Sequence, residues 1–454
     1  MSARLTAALR DSGTRFRIFP QPRYLQAFTH PETIHISVPP DKLLPGPVDD
    51  RMYVVDAVNK QPYAQSDRPP YRGDHNGPVK AKKGHFDHLD PDSREFLCAS
   101  MYATVRFVLD MWEDYFDKRI DWHFDLDFEK LELIPLVEWN NAQAGYGFLE
   151  FGYAKASFGG IDFTKPHCQN FDVLAHEFGH CLIYATVGSP NNSNDLAVDY
   201  AGMQESAGDL IALIASLHFD SVLTHLLDNT HGNLFSLNEL SRVGELSESR
   251  QVRIAFNYLR MADVNDEPHL RSLPFTGAVF DILVEIFQQN LIEANLISQD
   301  LGTRSSNTGT AQKDVERIAA AFKEAYRGQE EGFKNALIAS RDSVGLLLAK
   351  TWSSLSPHFL TYHDYARSLL QADQTLNDGR HKAIMRDCFA WRGLQAATDS
   401  RMFSLYRLED CHPEKAHVST VVPEPPKKEK RKQASKSRKK PQIAKKHDAP
   451  DKDR

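Results

Sequence analysis

The segment FDVLAHEFGHCLIYATVG, Phe171 to Gly188, constrains this chain more than any other. Its apolar residues recur at helical spacing, yet it carries two histidines four apart and a glutamate directly after the first. On an α-helix, residues i and i+4 share a face one turn apart. His176 and His180 can therefore offer two imidazoles to one cation, with Glu177 on the flank beside them. An HExxH site has that need: two neutral nitrogen ligands, and a carboxylate next to the water that the metal activates. Asp172 is the expected cap of this helix and Gly188 its expected end. The same letters also suit three polar residues on an ordinary helix, so the rest of the chain has to decide.

A catalytic zinc takes a third protein ligand and leaves its fourth position open. The segment YAGMQESAGDLIALIA supplies a candidate, because Glu205 and Asp209 are again four apart and share a face. Leu210, Ile211, Leu213, Ile214 and Leu217 give this helix a core side. Ala201, Ala212 and Ser216 are small enough for a second helix to come close. Two carboxylates on the inward side of an apolar helix are costly unless they meet a cation. The plainer alternative is a solvated acidic pair near a helix start, where the dipole favours acids.

HEFGH followed by a helix with ExxxD resembles the thermolysin-like metallopeptidases of the gluzincin clan. The resemblance implies Glu205 as third zinc ligand and Asp209 as the carboxylate that orients His176. It extends, more loosely, over about residues 50 to 395. NNAQAGYGFLEFGY places Asn141 and Ala142 where that family pairs an edge strand with the substrate backbone. PHLRSLPFTGAVFDILVEIF places His269 where the family has a histidine that donates to the developing oxyanion. Arg242 stands at a suitable distance before it for a substrate-carbonyl arginine; the alternative is a solvated surface residue. The interval from His180 to Glu205 is longer than usual, and no tyrosine falls cleanly in register for the second oxyanion donor. Tyr200 is the nearest, while Tyr184 reads as core on the zinc helix.

These positions imply a zinc peptidase acting on peptide or protein substrates, with Glu177 as general base and then acid. One catalytic Zn2+ is expected, and no calcium-ligand cluster is evident. Two alternatives stay open: a zinc hydrolase of a non-peptide substrate, and an inactive binding protein on the same scaffold.

Around the motif, the order of elements predicts an α+β chain: a β-rich N-terminal half carrying the zinc helix, then a mainly helical half, with the cleft between them. The expected divisions are an arm over residues 1–48, an α+β domain over 49–188, a helical domain over 189–410 and a tail over 411–454. MYVVDAV, LELIPLVEW and YGFLEFGY read as strands, and NKQPYAQSDRPPYRGDHNGP as loop. A helix is expected from Pro91, capped by Asp90 or Asp92, and later ones in ESAGDLIALIASLHF, FTGAVFDILVEIFQQNLI, DVERIAAAFKEAYR and TYHDYARSLLQADQTL.

Charge separates the tail from the body. Lys427 to Arg454 holds 13 basic against 4 acidic residues, a net of +9, which leaves the other residues at −16. Rich in lysine and proline, the tail is expected to be disordered. It has no aromatic residue to stack on bases, so a nucleic acid or other anionic partner is a secondary reading. No run of about 18 apolar residues suggests a membrane span. Five scattered cysteines and an N-terminus without a secretory apolar core lead to the expectation of a cytoplasmic protein.

Overall fold

In the computed structural model, the structure describes residues 9–23, 25–156, 158–192, 197–235, 257–306 and 312–394. Among the described residues the strands all precede Phe171 and the C-terminal half is helical, so the α+β expectation is met.

A two-stranded antiparallel sheet comes first, from β1 (Thr14–Ile18) and β2 (Glu32–Ile36). Each alternates buried with partly exposed residues, and Phe16, Ile18, Ile34 and Ile36 enter the main core. The segment expected as an arm is therefore part of that core. It is also tied down by charge, since Asp110 accepts from both the Ser37 N–H at 2.7 Å and the Ser37 hydroxyl at 2.6 Å. Arg106 bridges Asp110 at 3.0 Å and Asp49 at 3.3 Å, all three being nearly buried.

Asp110 and Arg106 belong to α1 (Arg94–Phe116), whose N-cap is Ser93, a few residues later than expected. The helix is buried nearly all round, from Phe96 to Tyr115, as befits a central element. It forms the crossover between parallel strands β3 (Met52–Val54) and β4 (Leu131–Ile134). The sheet continues through β6 (Phe148–Phe151), parallel to β4, to the edge strand β5 (Ala142–Gly145), antiparallel to β6. AQAG, ahead of the strand expected in YGFLEFGY, thus forms an edge strand of its own. Its turn is Tyr146–Gly147, where Gly147 has a φ of 89°, a conformation that favours glycine. A hairpin of β7 (Tyr153–Lys155) and β8 (Ile161–Pro166) leads on to the helices.

Opposite α1, the sheet is covered by residues 60–71 through buried polar contacts. Lys60 Nζ meets Glu150 Oε2 at 2.6 Å with both side chains almost fully buried. Glu150 sits directly across from Gln143 of the edge strand and accepts from its amide at 2.5 Å and from the Tyr63 N–H at 2.8 Å. Glu132 accepts from the Tyr53 and Tyr63 hydroxyls and the Tyr71 N–H, each at 2.8 Å.

The helices that follow are α2 (Phe171–Thr186), α3 (Val198–Ser216), α4 (Asp220–Thr230), α5 (Pro268–Glu293), α6 (Gln299–Ser305), α7 (Gln312–Tyr326), α8 (Glu330–Trp352), α9 (Tyr362–Asn377) and α10 (Lys382–Arg392). Helix α2 packs on α3, α3 on α5, and α5 on α8 and α10. No single helix among the described residues is long and apolar enough to cross a membrane.

Candidate metal centre

Helix α2 begins at Phe171 because Asn170, not Asp172, caps it: the Asn170 Oδ1 accepts from the N–H groups of Asp172 and Val173 at 3.2 and 3.4 Å. Asp172 lies in the first turn and accepts from the Gln21 amide at 3.1 Å. At the other end Gly188 takes a φ of 89° just past the helix.

Helices α2 and α3 meet through two glycines. A Cβ placed on Gly179 would stand 2.9 Å from the Cα of Gly208. One placed on Gly208 would stand 2.6 Å from the Nδ1 of His176. Neither distance is tolerable, so glycine at both positions is what lets the helices come this close with the His176 ring against Gly208. Sequence reasoning attributed the close approach to Ala201, Ala212 and Ser216 and missed this pair, although Gly179 lies inside HEFGH.

The approach gathers His176, His180 and Glu205. One ligand atom from each lies within 4.8 Å of the others. His176 Nε2 is 3.5 Å from Glu205 Oε2, and His180 Nε2 is 3.9 Å from Glu205 Oε1. Ligands on a tetrahedral zinc at ordinary bond lengths stand about 3.3–3.6 Å apart. The three residues therefore fit a single metal ion with little movement. The two imidazole planes are 88° apart, and each ring turns its Nε2 edge toward Glu205.

Asp209, buried beside them, has Oδ1 2.9 Å from His176 Nδ1. That contact places a proton on Nδ1 and leaves the Nε2 lone pair toward Glu205. Glu177 is half-buried on α2, directly after His176.

His269 joins the group from α5. It lies in the helix's first turn, not in a preceding loop, because Pro268 starts the helix and Glu267 caps it. Its Nε2 is 3.4 Å from Glu205 Oε2 and its Nδ1 is 2.6 Å from Glu267 Oε1. Burial alone would raise the Glu267 carboxyl. The hydrogen bonds from the His269 side chain and from the Leu270 and His269 N–H groups outweigh it and hold the carboxyl below its usual range. Glu267 was not singled out from the sequence, although an acid followed by Pro is a common helix start.

Ala142 opens β5, the sheet edge that packs against α2, and Asn141 directly precedes it. The Gly152 N–H donates to the Asn141 carbonyl at 2.9 Å. With Ala142 opposite Phe151, antiparallel alternation pairs Gln143 with Glu150 and turns the main-chain groups of Ala142 and Ala144 outward.

Tyr200 is placed differently from its expected role. Its hydroxyl donates to the Gly188 carbonyl at 2.7 Å and accepts from the Gln204 amide at 2.8 Å, so it fastens the end of α2 to α3. Tyr184 is half-buried one turn beyond His180, with its ring 5.2 Å from that of His123. Burial first, then the charges of Cys181 and Glu205, raise its phenol. Arg242 and the basic tail lie outside the described residues.

No protein-family model matches the chain. Over 228 residues the chain is 25% identical to the probable extracellular metalloproteinase 2 of Arthroderma benhamiae and to that of Trichophyton verrucosum. The match takes in 49% of this chain and 30% of each relative, so it spans less than a third of their length. Among solved structures, the precursor of protealysin, a metalloproteinase from Serratia proteamaculans, aligns with a TM-score of 0.40 and 12% identity, covering 75% of this chain and 87% of that one. The chain is thus distantly similar to metalloproteinases, and it has a His-His-Glu group able to hold a metal ion.

Proposed function

We propose that this chain is a zinc-dependent metallopeptidase of the thermolysin-like kind. The observation that carries the reading is the convergence within 4.8 Å of Glu205, from α3, with His176 and His180, from the helix that also bears Glu177. Two nitrogens and one carboxylate suit zinc better than the oxygen-rich sets of calcium or magnesium. Bound there, zinc would supply Lewis-acid activation of water and of the substrate carbonyl.

The chain's own groups account for the rest. Glu177 takes the proton of the attacking water and delivers it to the leaving amine, a base that becomes an acid. Asp209 keeps His176 in one tautomer and orientation. His269, steadied by Glu267, donates from Nε2 to the oxygen on which negative charge develops, and loss of one such donor typically costs ~10²–10³ in rate. Ala142 and Ala144 offer main-chain donors and acceptors to a peptide added as a further strand, with Asn141 beside it. Tyr200 holds the connection after α2 in this reading, since its hydroxyl is already engaged by Gly188. Arg242 keeps its proposed place as a contact to the substrate carbonyl.

The test is zinc content together with cleavage of a mixed peptide library, for the wild type and Glu177→Gln. The expected result is equal zinc in both and at least ~10³-fold slower cleavage in the variant. Near-normal cleavage by Glu177→Gln would overturn the mechanism. Zinc-loaded wild type that cuts no peptide would overturn the substrate class.

A further inference from the structure

We propose that Asp199 is a positioning residue that sets His269 over Glu205; this role rests on the peptidase reading above. The problem it solves is one of geometry. Glu267 orients the His269 ring against its own helix turn, at 2.6 Å. It does nothing to place that turn relative to α3, where Glu205 resides. The 3.4 Å between His269 Nε2 and Glu205 Oε2 therefore depends on how the start of α5 is fixed against α3.

Asp199, in the first turn of α3, supplies that fixing. Its Oδ1 is 2.6 Å from Arg271 Nε, two residues after His269. Its Oδ2 accepts from the Tyr362 N–H at 2.9 Å, so α9 is joined at the same carboxylate. Arg271 is held from the other side by Asp266 at 2.9 Å, in the segment just before α5. The Asp199 and Arg271 side chains are only 14% and 20% exposed, which shields the pair from most solvent screening.

Gly202 makes the junction possible. A Cβ at that position would stand 2.6 Å from the Tyr362 hydroxyl and 3.4 Å from Arg271 Cβ and Cγ. Its absence lets the Arg271 stem and the Tyr362 ring lie on the α3 backbone one turn before Glu205. A second tie lies further along, where the Thr276 hydroxyl donates to Ser206 Oγ at 3.0 Å, both residues being buried. The two ties bracket Glu205 on α3 and follow His269 on α5. Between two stiff helices, that pair of fixed points sets the slide of one along the other. Apolar packing alone would allow small shifts; a guanidinium that gives one N–H to Asp199 and another to Asp266 is directional.

The test uses Asp199→Asn and Arg271→Lys in the full chain, with the best substrate from the peptide library. A misplacement of about 1 Å at a reaction centre can cost ~10²-fold. Each variant is expected to lose ~10–100-fold in kcat, with KM and zinc stoichiometry within ~2-fold of wild type. In a His269→Ala background, Asp199→Asn is expected to cost less than ~2-fold more, because the group it positions is gone. An undiminished loss in that background, or a kcat near wild type in both variants, would refute the role. Should Asp199→Asn fail to fold, Arg271→Lys gives the same reading, since it keeps the charge and removes the fork. A zinc-loaded wild type that cleaves nothing overturns the peptidase reading and this role with it, a result distinct from a cleaving wild type matched by its variants.

Discussion

The Nδ1 of His176 stands 2.9 Å from Oδ1 of Asp209, deep between α2 and α3. The carboxylate takes one edge of the ring, so only Nε2 remains for a metal. It also raises the basicity of that nitrogen. Asp209→Asn keeps an acceptor of similar shape and removes the charge. Zinc affinity, measured by competition with a chelator, should fall ~10–100-fold in Asp209→Asn with little change in the fold. Unchanged affinity would show that the contact serves packing alone.

Gly208→Ala tests the space in which that ring lies. In an exposed helix the change should be favourable by up to ~1 kcal/mol. Here the new methyl would sit 2.6 Å from His176 Nδ1, and the ring cannot swing away while Asp209 holds it. We expect at least ~10-fold weaker zinc binding and a lower melting temperature. Gly77→Ala is the matched control, because nothing lies within 4 Å of a Cβ at that position.

Lys60 and Glu150 form an ion pair with side chains 2% and 0% exposed. Removing one partner of such a pair strands the other charge, which costs about 3–5 kcal/mol. Lys60→Met should therefore lower the denaturant midpoint sharply. The double change Lys60→Met with Glu150→Leu should recover part of the loss. A double variant no better than the single one would place the stabilisation in the hydrogen bonds from Gln143 and Tyr63 instead.

Glu285 gives the fold a dependence on pH away from the metal site. Burial first, then the charges of Asp281 and Asp387, push its carboxyl up to about 7 from 4.5. Asp281 lies on the same helix and is paired with Arg392 at 2.7 Å, while Asp387 faces it from α10. A folded pKa above the unfolded one means full stability below about pH 4.5 and progressive loss as pH rises to about 7. Glu285→Gln should remove that slope and be the more stable protein at pH 8, by an amount on the order of a few kcal/mol. Parallel stability–pH curves for the two proteins would contradict the assignment.

Periodicity made the helical candidates legible. His176 and His180, like Glu205 and Asp209, are pairs at one-turn spacing; His176, His180 and Glu205 come together, and Asp209 meets the Nδ1 edge of His176. Ends were less readable, because capping is decided by whichever nearby side chain reaches the free N–H groups. Asn170 won over Asp172, and Ser93 over Asp90 and Asp92. Strands β1 and β2 hid in a proline-rich stretch, each only five residues long, with a single buried face. Helix α8 was not singled out at all, although it buries Phe333, Leu337, Leu348 and Trp352. The glycines were hidden for another reason. A missing side chain leaves no pattern in a sequence, and the need for Gly208 appears only once His176 is beside it. Tyr200 shows the reverse, a residue of suitable type whose hydroxyl is spent elsewhere.

The meeting of Gly179 with Gly208 bears on stiffness. A contact made backbone to backbone has no rotamer to change, so the gap between α2 and α3 offers little play. The elements that carry the three candidate ligands are consequently held near a binding geometry by the fold itself. Metal uptake would then order few groups and lose little entropy. The protein with and without its ion should be nearly superimposable at this junction, and the ion would meet a cage already built.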